Sequence, residues 1–137
     1  MFSMKKIAFV LLLSLVSVPA ISHAEYVPCG FNPAPGMNAY VDDESIRLAP
    51  DKTGFTVLVK VVSNDGAYSI APFEYSLRQD GVYYRTLGTS YYASNNALMK
   101  TDPADKKYMG FVPGSLQEAV FKKSFDIMQQ KKAAGQL

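Results

Sequence analysis

The chain has 137 residues, with fourteen Lys and Arg against twelve Asp and Glu, one His, one Cys and no Trp. The His, His23, and two of the cations, Lys5 and Lys6, lie in the first 24 residues. If that segment is removed, twelve cations face twelve anions and no imidazole remains, which excludes Ser-His-Asp and Cys-His catalysis and His-dependent zinc or copper centres.

Residues 1–24 read as a secretory signal of bacterial type. Lys5 and Lys6 form the positive n-region, Ile7 to Val18 the apolar h-region, and Ser22-His23-Ala24 a small-x-small cleavage site. The apolar run falls short of the roughly 20 residues that span a bilayer, so the mature form is expected to start after Ala24 without a transmembrane span. The protein is then exported, periplasmic or secreted. A neutral mature chain lacks the field that draws proteins onto nucleic acid, so no nucleic acid partner is expected.

Residues 25–38 contain Pro28, Gly30, Pro33, Pro35 and Gly36 without apolar periodicity and read as an irregular N-terminal segment. Cys29 follows Tyr26-Val27-Pro28 rather than a Leu-small-small run, so a lipoprotein is not predicted. The thiol reads as a small, partly buried side chain; a homodimer joined through Cys29 is the alternative that an oxidising compartment permits.

The folded part is expected over 39–134, ahead of a tail at 135–137. Ala39-Tyr40-Val41 and Ser45 to Ala49 are short extended pieces around Asp42-Asp43-Glu44, and Pro50 to Gly54 is a turn. Phe55 to Ser63 alternates Phe55, Val57, Val59 and Val61 with Thr56, Leu58, Lys60 and Val62, a strand with one face buried and the other mixed. Asn64-Asp65-Gly66 predicts a hairpin into Ser69 to Arg78, where Pro72 limits ladder pairing. Gln79-Asp80-Gly81 turns the chain into Val82 to Tyr92, interrupted by Gly88, and Ser94-Asn95-Asn96 turns it into Ala97 to Thr101. A polar loop, Asp102 to Lys107, and an apolar approach, Tyr108 to Val112, lead to the last element.

That element is a helix. Ser115 and Glu118 form a capping box, Leu116, Val120, Phe121, Phe125, Ile127 and Met128 make a broad apolar arc, and Gly135 ends it. The fold class is α+β: an antiparallel sheet of five or six strands, arranged as a meander, with one C-terminal amphipathic helix packed on one face.

Tyr40-x-Asp42-x-x-Ser45-Ile46, the Val-rich strand Val57 to Val62, the Tyr-rich strand ending at Tyr91-Tyr92, and Pro113-Gly114-Ser115 opening a terminal helix occur in that order. Over about Tyr40 to Phe125 this order resembles the surface-adhesin protein E family. The resemblance implies a six-strand antiparallel sheet with a C-terminal helix and, for function, binding of host matrix or serum proteins. This chain departs from relatives that carry paired cysteines, one of them near the terminal helix, because Ser124 and Phe125 stand there and Cys29 has no partner.

Three groups of residues are candidate sites. Asp42, Asp43 and Glu44 could serve glycoside hydrolysis or hold a hard cation, although a solvated turn explains them without a ligand. Tyr83, Tyr84, Tyr91 and Tyr92 could form an aromatic recognition surface; strand alternation predicts two rings inward and two outward. Lys106-Lys107, Lys122-Lys123 and Lys131-Lys132 read as a solvated face, with a patch for acidic glycans or lipopolysaccharide headgroups as the alternative. The expected function is a non-enzymatic envelope or secreted protein-binding module without cofactor. A small periplasmic hydrolase or carbohydrate-processing domain built on the acidic cluster, and a periplasmic accessory or inhibitor domain, are the alternatives.

Overall fold

The computed structural model describes residues 25–30 and 36–137, so the signal at 1–24 and residues 31–35 lie outside the described residues. In chain order the strands are β1 (Tyr26–Pro28), β2 (Asn38–Asp42), β3 (Arg47–Leu48), β4 (Gly54–Val62), β5 (Tyr68–Arg78), β6 (Gly81–Thr86), β7 (Thr89–Tyr92) and β8 (Leu98–Asp102). One helix, α1 (Leu116–Ala133), follows. The architecture is α+β, a single antiparallel sheet with a C-terminal helix.

Eight strands occupy six columns. The path runs β1-β2-β4-β5-β7-β8, with β3 sharing β2's side of β4 and β6 sharing β7's side of β5. Two columns of the expected meander are thus each broken into two short strands. The segment read as irregular is corrected in one respect: Tyr26–Pro28 pairs with Tyr40–Asp42 as an outer strand. Three residues with two prolines nearby carry too little pattern to reveal a strand, and it forms because β2 offers an unpaired edge.

Both breaks fall at one row, where Leu58 of β4 lies opposite Pro72 of β5. Here the outward backbone groups of the central hairpin meet something other than a continuous strand. The Leu58 N–H donates to Ser45 Oγ at 2.8 Å, and the Ser45 hydroxyl in turn donates to the Asp42 carbonyl at 2.6 Å. On the other side Pro72 has no N–H to offer, and its carbonyl accepts from Leu87 N–H at 2.9 Å. A column that loses a donor at this row can part there, and β6 and β7 separate across Leu87 and Gly88.

The expected hairpin at Asn64-Asp65-Gly66 forms, with Asp65 Oδ1 accepting from Ser63 Oγ and Ala67 N–H and Gly66 taking φ 88°. It fixes Val62 opposite Tyr68, and therefore which side chains of β4 and β5 share a face. Phe55, Val57 and Val59 face Tyr75, Phe73 and Ala71 on the helix side, all buried. Ala39, Val41, Ile46 and Tyr84 complete the sheet's part of the core.

The helix closes this layer with Val120, Ser124 and Met128 buried in one line, flanked by Leu116, Phe121, Phe125 and Ile127. Ser124, absent from the expected apolar arc, is fully buried because its Oγ donates to the Val120 carbonyl at 2.6 Å, within its own helix. Ser115 accepts from Glu118 N–H, while Glu118 Oε1 reaches the Gly114 N–H, one residue before the position of the expected reciprocal bond. At the other end Gln136 N–H bonds the Lys131 carbonyl and Gly135 N–H the Lys132 carbonyl, a Schellman motif with Gly135 at φ 73°. Tyr75, 1% exposed, joins the layers: its ring meets Phe55 and Phe121, and its hydroxyl donates to the Gln117 carbonyl at 2.9 Å.

Ser45→Ala leaves the Leu58 N–H facing a column break without its acceptor. The expected loss is about 1–3 kcal/mol, read from urea unfolding midpoints with an unchanged m-value. A loss within about 0.5 kcal/mol, the range of an ordinary surface change, would show that this row does not depend on the hydroxyl.

Candidate functional site

The face of the sheet opposite α1 carries no helix or strand among the described residues. Residues opposite each other in a ladder share a face, so its content follows from the register. One row reads Pro28, Tyr40, Lys60, Ile70 and Ser90; the next holds Val62, Tyr68 and Tyr92; a third holds Tyr26, Asp42, Leu58 and Pro72. Toward the far end come Arg47, Thr56, Glu74 and Arg85, then Ser76 and Tyr83. Apart from buried Asp42 and exposed Pro28 and Arg47, these side chains are half-buried, including four apolar ones, Leu58, Val62, Ile70 and Pro72.

Two cation-aromatic clusters stand on this face. At one end Lys60 Nζ lies 4.6 Å from the Tyr68 ring centroid and 5.3 Å from that of Tyr26, and Tyr68 stacks on Tyr92 at 4.9 Å. The Tyr68 hydroxyl donates to Asn96 Oδ1 in the β7–β8 turn, which fixes the ring. At the other end the Arg78 guanidinium lies over Tyr83 and Tyr108, at 4.6 and 5.0 Å, and Arg85 lies 4.7 Å from Tyr108. Arg85 also bonds Glu74 at 2.6 Å, which raises the guanidinium's pKa. Burial and the neighbouring Asp42 carboxylate push the Tyr26 phenol up, so that ring is neutral at physiological pH.

The four tyrosines singled out by sequence do not form one surface. Tyr83 and Tyr92 lie at opposite ends of the uncovered face. Tyr84 is corrected as a binding residue: it is buried in the core against Phe73, Tyr75 and Phe111. Tyr91 points to the helix side beyond α1, under Lys100 and beside Val61 and Met99 in an open apolar groove of about 410 Å³. One ring of the four is therefore in the core, against the expected two. Lys122 and Lys123 lie on α1, across the sheet from Tyr83 and Tyr92; Lys122 pairs with Glu118 at 3.8 Å.

Sequence reasoning missed Tyr26, Tyr40, Tyr68 and Tyr108 and the cations between them. The signal was present in the hairpin register, which puts Lys60 on the face shared by Tyr68 once Val62 is set opposite Tyr68.

Asp42 and Asp43 diverge. Asp42 pairs with Tyr26 on the uncovered side, 6% exposed, and its Oδ1 accepts from the Glu44 N–H at 2.9 Å. Asp43 lines a cleft on the helix side with Lys123, Asp126 and Gln130. Among the described residues no three Asp, Glu, His or Cys side chains converge to hold a metal ion, and no helix is long and apolar enough to cross a membrane.

Cys29 packs against the core beside Gly30, Ser115, Ala119 and Lys123. Burial pushes its thiol up to about 11, against a smaller opposing pull from Lys123. The thiolate is the reactive form, so alkylation by iodoacetamide at pH 8 is expected to be on the order of 100-fold slower in the folded protein than in urea. Equal rates in the two states would show that the thiol is not shielded.

Comparison of the chain with protein-family models, with curated proteins and with solved structures finds no match in any of the three.

Proposed function

We propose that this chain is an exported, non-enzymatic protein-binding module that presents the uncovered face of its sheet to a protein partner. The observation that carries the reading is the density of half-exposed tyrosine on that face, Tyr26, Tyr40, Tyr68, Tyr92, Tyr83 and Tyr108, with Leu58, Val62 and Ile70 between the rings. Tyrosine suits recognition because it brings large contact area, little rotamer entropy to lose and a polar tip. A contiguous apolar and aromatic patch left open to solvent is characteristic of an interaction surface.

Two further points support this reading over hydrolysis by the acidic cluster. The Asp42 and Asp43 side chains leave the chain toward opposite faces of the sheet, so they do not flank a single bond. Asp42 already serves the turn into β3 through its bond from Glu44 N–H. The ordered elements that resemble the surface-adhesin protein E family point the same way, toward a host matrix or serum protein as partner.

The test uses mature protein, residues 25–137, passed over immobilised vitronectin and laminin, with cell fractionation alongside. Binding to either that falls at least about fivefold in Tyr68→Ala and in Tyr92→Ala, with circular dichroism unchanged, is the expected result. No binding to either protein and a purely periplasmic pool would overturn the adhesin-like form of the proposal.

A further inference from the structure

Between the C-terminal half of α1 and the end of the sheet where β3 turns into β4 lies a pocket of about 310 Å³, apart from the sheet face and clefts described above. Its walls are apolar: Leu48 and Leu77 come from the sheet, Phe125 and Met128 from the helix. The Schellman turn at Gly135 reverses the chain, and Leu137 closes the outer side. Small-molecule sites span about 300–1,000 Å³ and are mostly apolar, with a few polar groups that fix orientation. This pocket stands at the lower end of that range.

Both charged side chains at its mouth are lysines, Lys52 from the β3–β4 turn and Lys132 from the last turn of the helix. No Asp or Glu side chain lines the pocket, and neither lysine has an ion-pair partner among the described residues. Asp51, next to Lys52, keeps its charge but lines a separate cleft with Glu74 and Tyr108. A carboxylate at Leu137, counted against the two lysines, still leaves positive charge in excess.

Lys52 holds φ 61°, a left-handed conformation that Gly or Asn adopts more cheaply. The turn itself therefore gives no reason for a lysine there. Its N–H bonds the Ala49 carbonyl at 2.8 Å and the Thr53 N–H bonds Asp51 Oδ1 at 3.1 Å, which fixes where the Lys52 side chain starts.

The wall residues offer no hydrogen bond, and Gln129 is the remaining polar side chain of the lining. A peptide or a sugar inside would leave amides or hydroxyls unpaired, whereas a hydrocarbon tail loses nothing there. We propose that this pocket binds an aliphatic carboxylate of fatty-acid type, its tail between Leu77 and Met128 and its carboxylate at Lys52 and Lys132. The site lies on the helix side of the sheet and is independent of the protein-binding reading.

The test titrates mature protein, residues 25–137, with butanoate, hexanoate and octanoate below their micellar concentrations and follows amide chemical shifts. Each two-carbon step is expected to tighten binding roughly tenfold, with the largest shifts at Leu48, Leu77 and Met128. Octanoate should bind at least about threefold more tightly than octanol and about tenfold more tightly than octylammonium. Lys52→Gln and Lys132→Gln should each weaken octanoate about two- to fivefold, with Lys52→Arg restoring most of the loss and Lys107→Gln, outside the pocket, changing nothing.

No saturable shifts with millimolar octanoate, or shifts that map away from the pocket, would overturn the proposal. So would equal affinity for octanoate and octylammonium, or an equal loss in Lys107→Gln, since the lysines at the mouth would then not be selecting the ligand.

Discussion

At the row where Leu58 faces Pro72, the central hairpin turns its outward backbone groups toward two columns that do not continue past it. An amide hydrogen left without an acceptor in a sheet costs as much as several favourable contacts return, so the row must be closed by other means. Ser45 closes one side with its hydroxyl, and proline closes the other by having no hydrogen to place. Once β2 and β3 part, the chain between them is free to drive Ile46 into the core, where it is 1% exposed. Once β6 and β7 part, the outer edge of β6 is left for Met109, which exchanges two 2.8 Å bonds with Tyr84. That bridge delivers Phe111 to the aromatic core and aims the chain at the start of the helix.

The core that results is mainly aromatic where the helix begins and aliphatic toward the β2 side. Phe55, Tyr75, Tyr84, Phe111 and Phe121 form a continuous set of tilted, stacked and edge-on pairs, each pair contributing about 0.5–1.5 kcal/mol beyond the area it buries. Tyr75 can be nearly inaccessible because the Gln117 carbonyl accepts its hydroxyl. Ser124 solves the same difficulty within its own helix, and its small side chain keeps the line Val120-Ser124-Met128 narrow where the layers approach. The consequence for the site is mechanical: one face of β4 and β5 is locked by packing, so the side chains on the other face hold their spacing.

Much of this was legible in the residues. The alternation from Phe55 to Val62 and the Asn64-Asp65-Gly66 turn identify the central hairpin, and the Ser115 and Glu118 spacing locates the helix start within a residue. The two column breaks were only half legible. Pro72 signals trouble in β5, but nothing local shows that Ser45, thirteen residues away from Leu58, supplies the missing acceptor. The tyrosine pairs misled for a related reason: alternation says that Tyr83 and Tyr84 part, and so do Tyr91 and Tyr92, but which ring meets the helix depends on how far α1 reaches. Tyr91 faces the helix side and still lies outside the core, because the helix ends its cover before β7. Tyr26, Tyr68 and Tyr108 come together across strands distant in sequence, and their grouping becomes visible only when register is known.

The outer columns of the sheet bear on how such a surface is used. An open sheet has bare strands at both sides, and either could zip onto another extended chain. Here β1 has three residues and ends on Pro28, which lacks a donor, and β8 carries a bulge in which Met99 is the extra residue opposite the Tyr91–Tyr92 step. The bulge turns Met99 onto the side of Tyr91 and interrupts the ladder that an incoming strand would have to match. Association through the backbone is blunted at both margins, which leaves side chains, and therefore sequence, to decide what contacts the sheet can make.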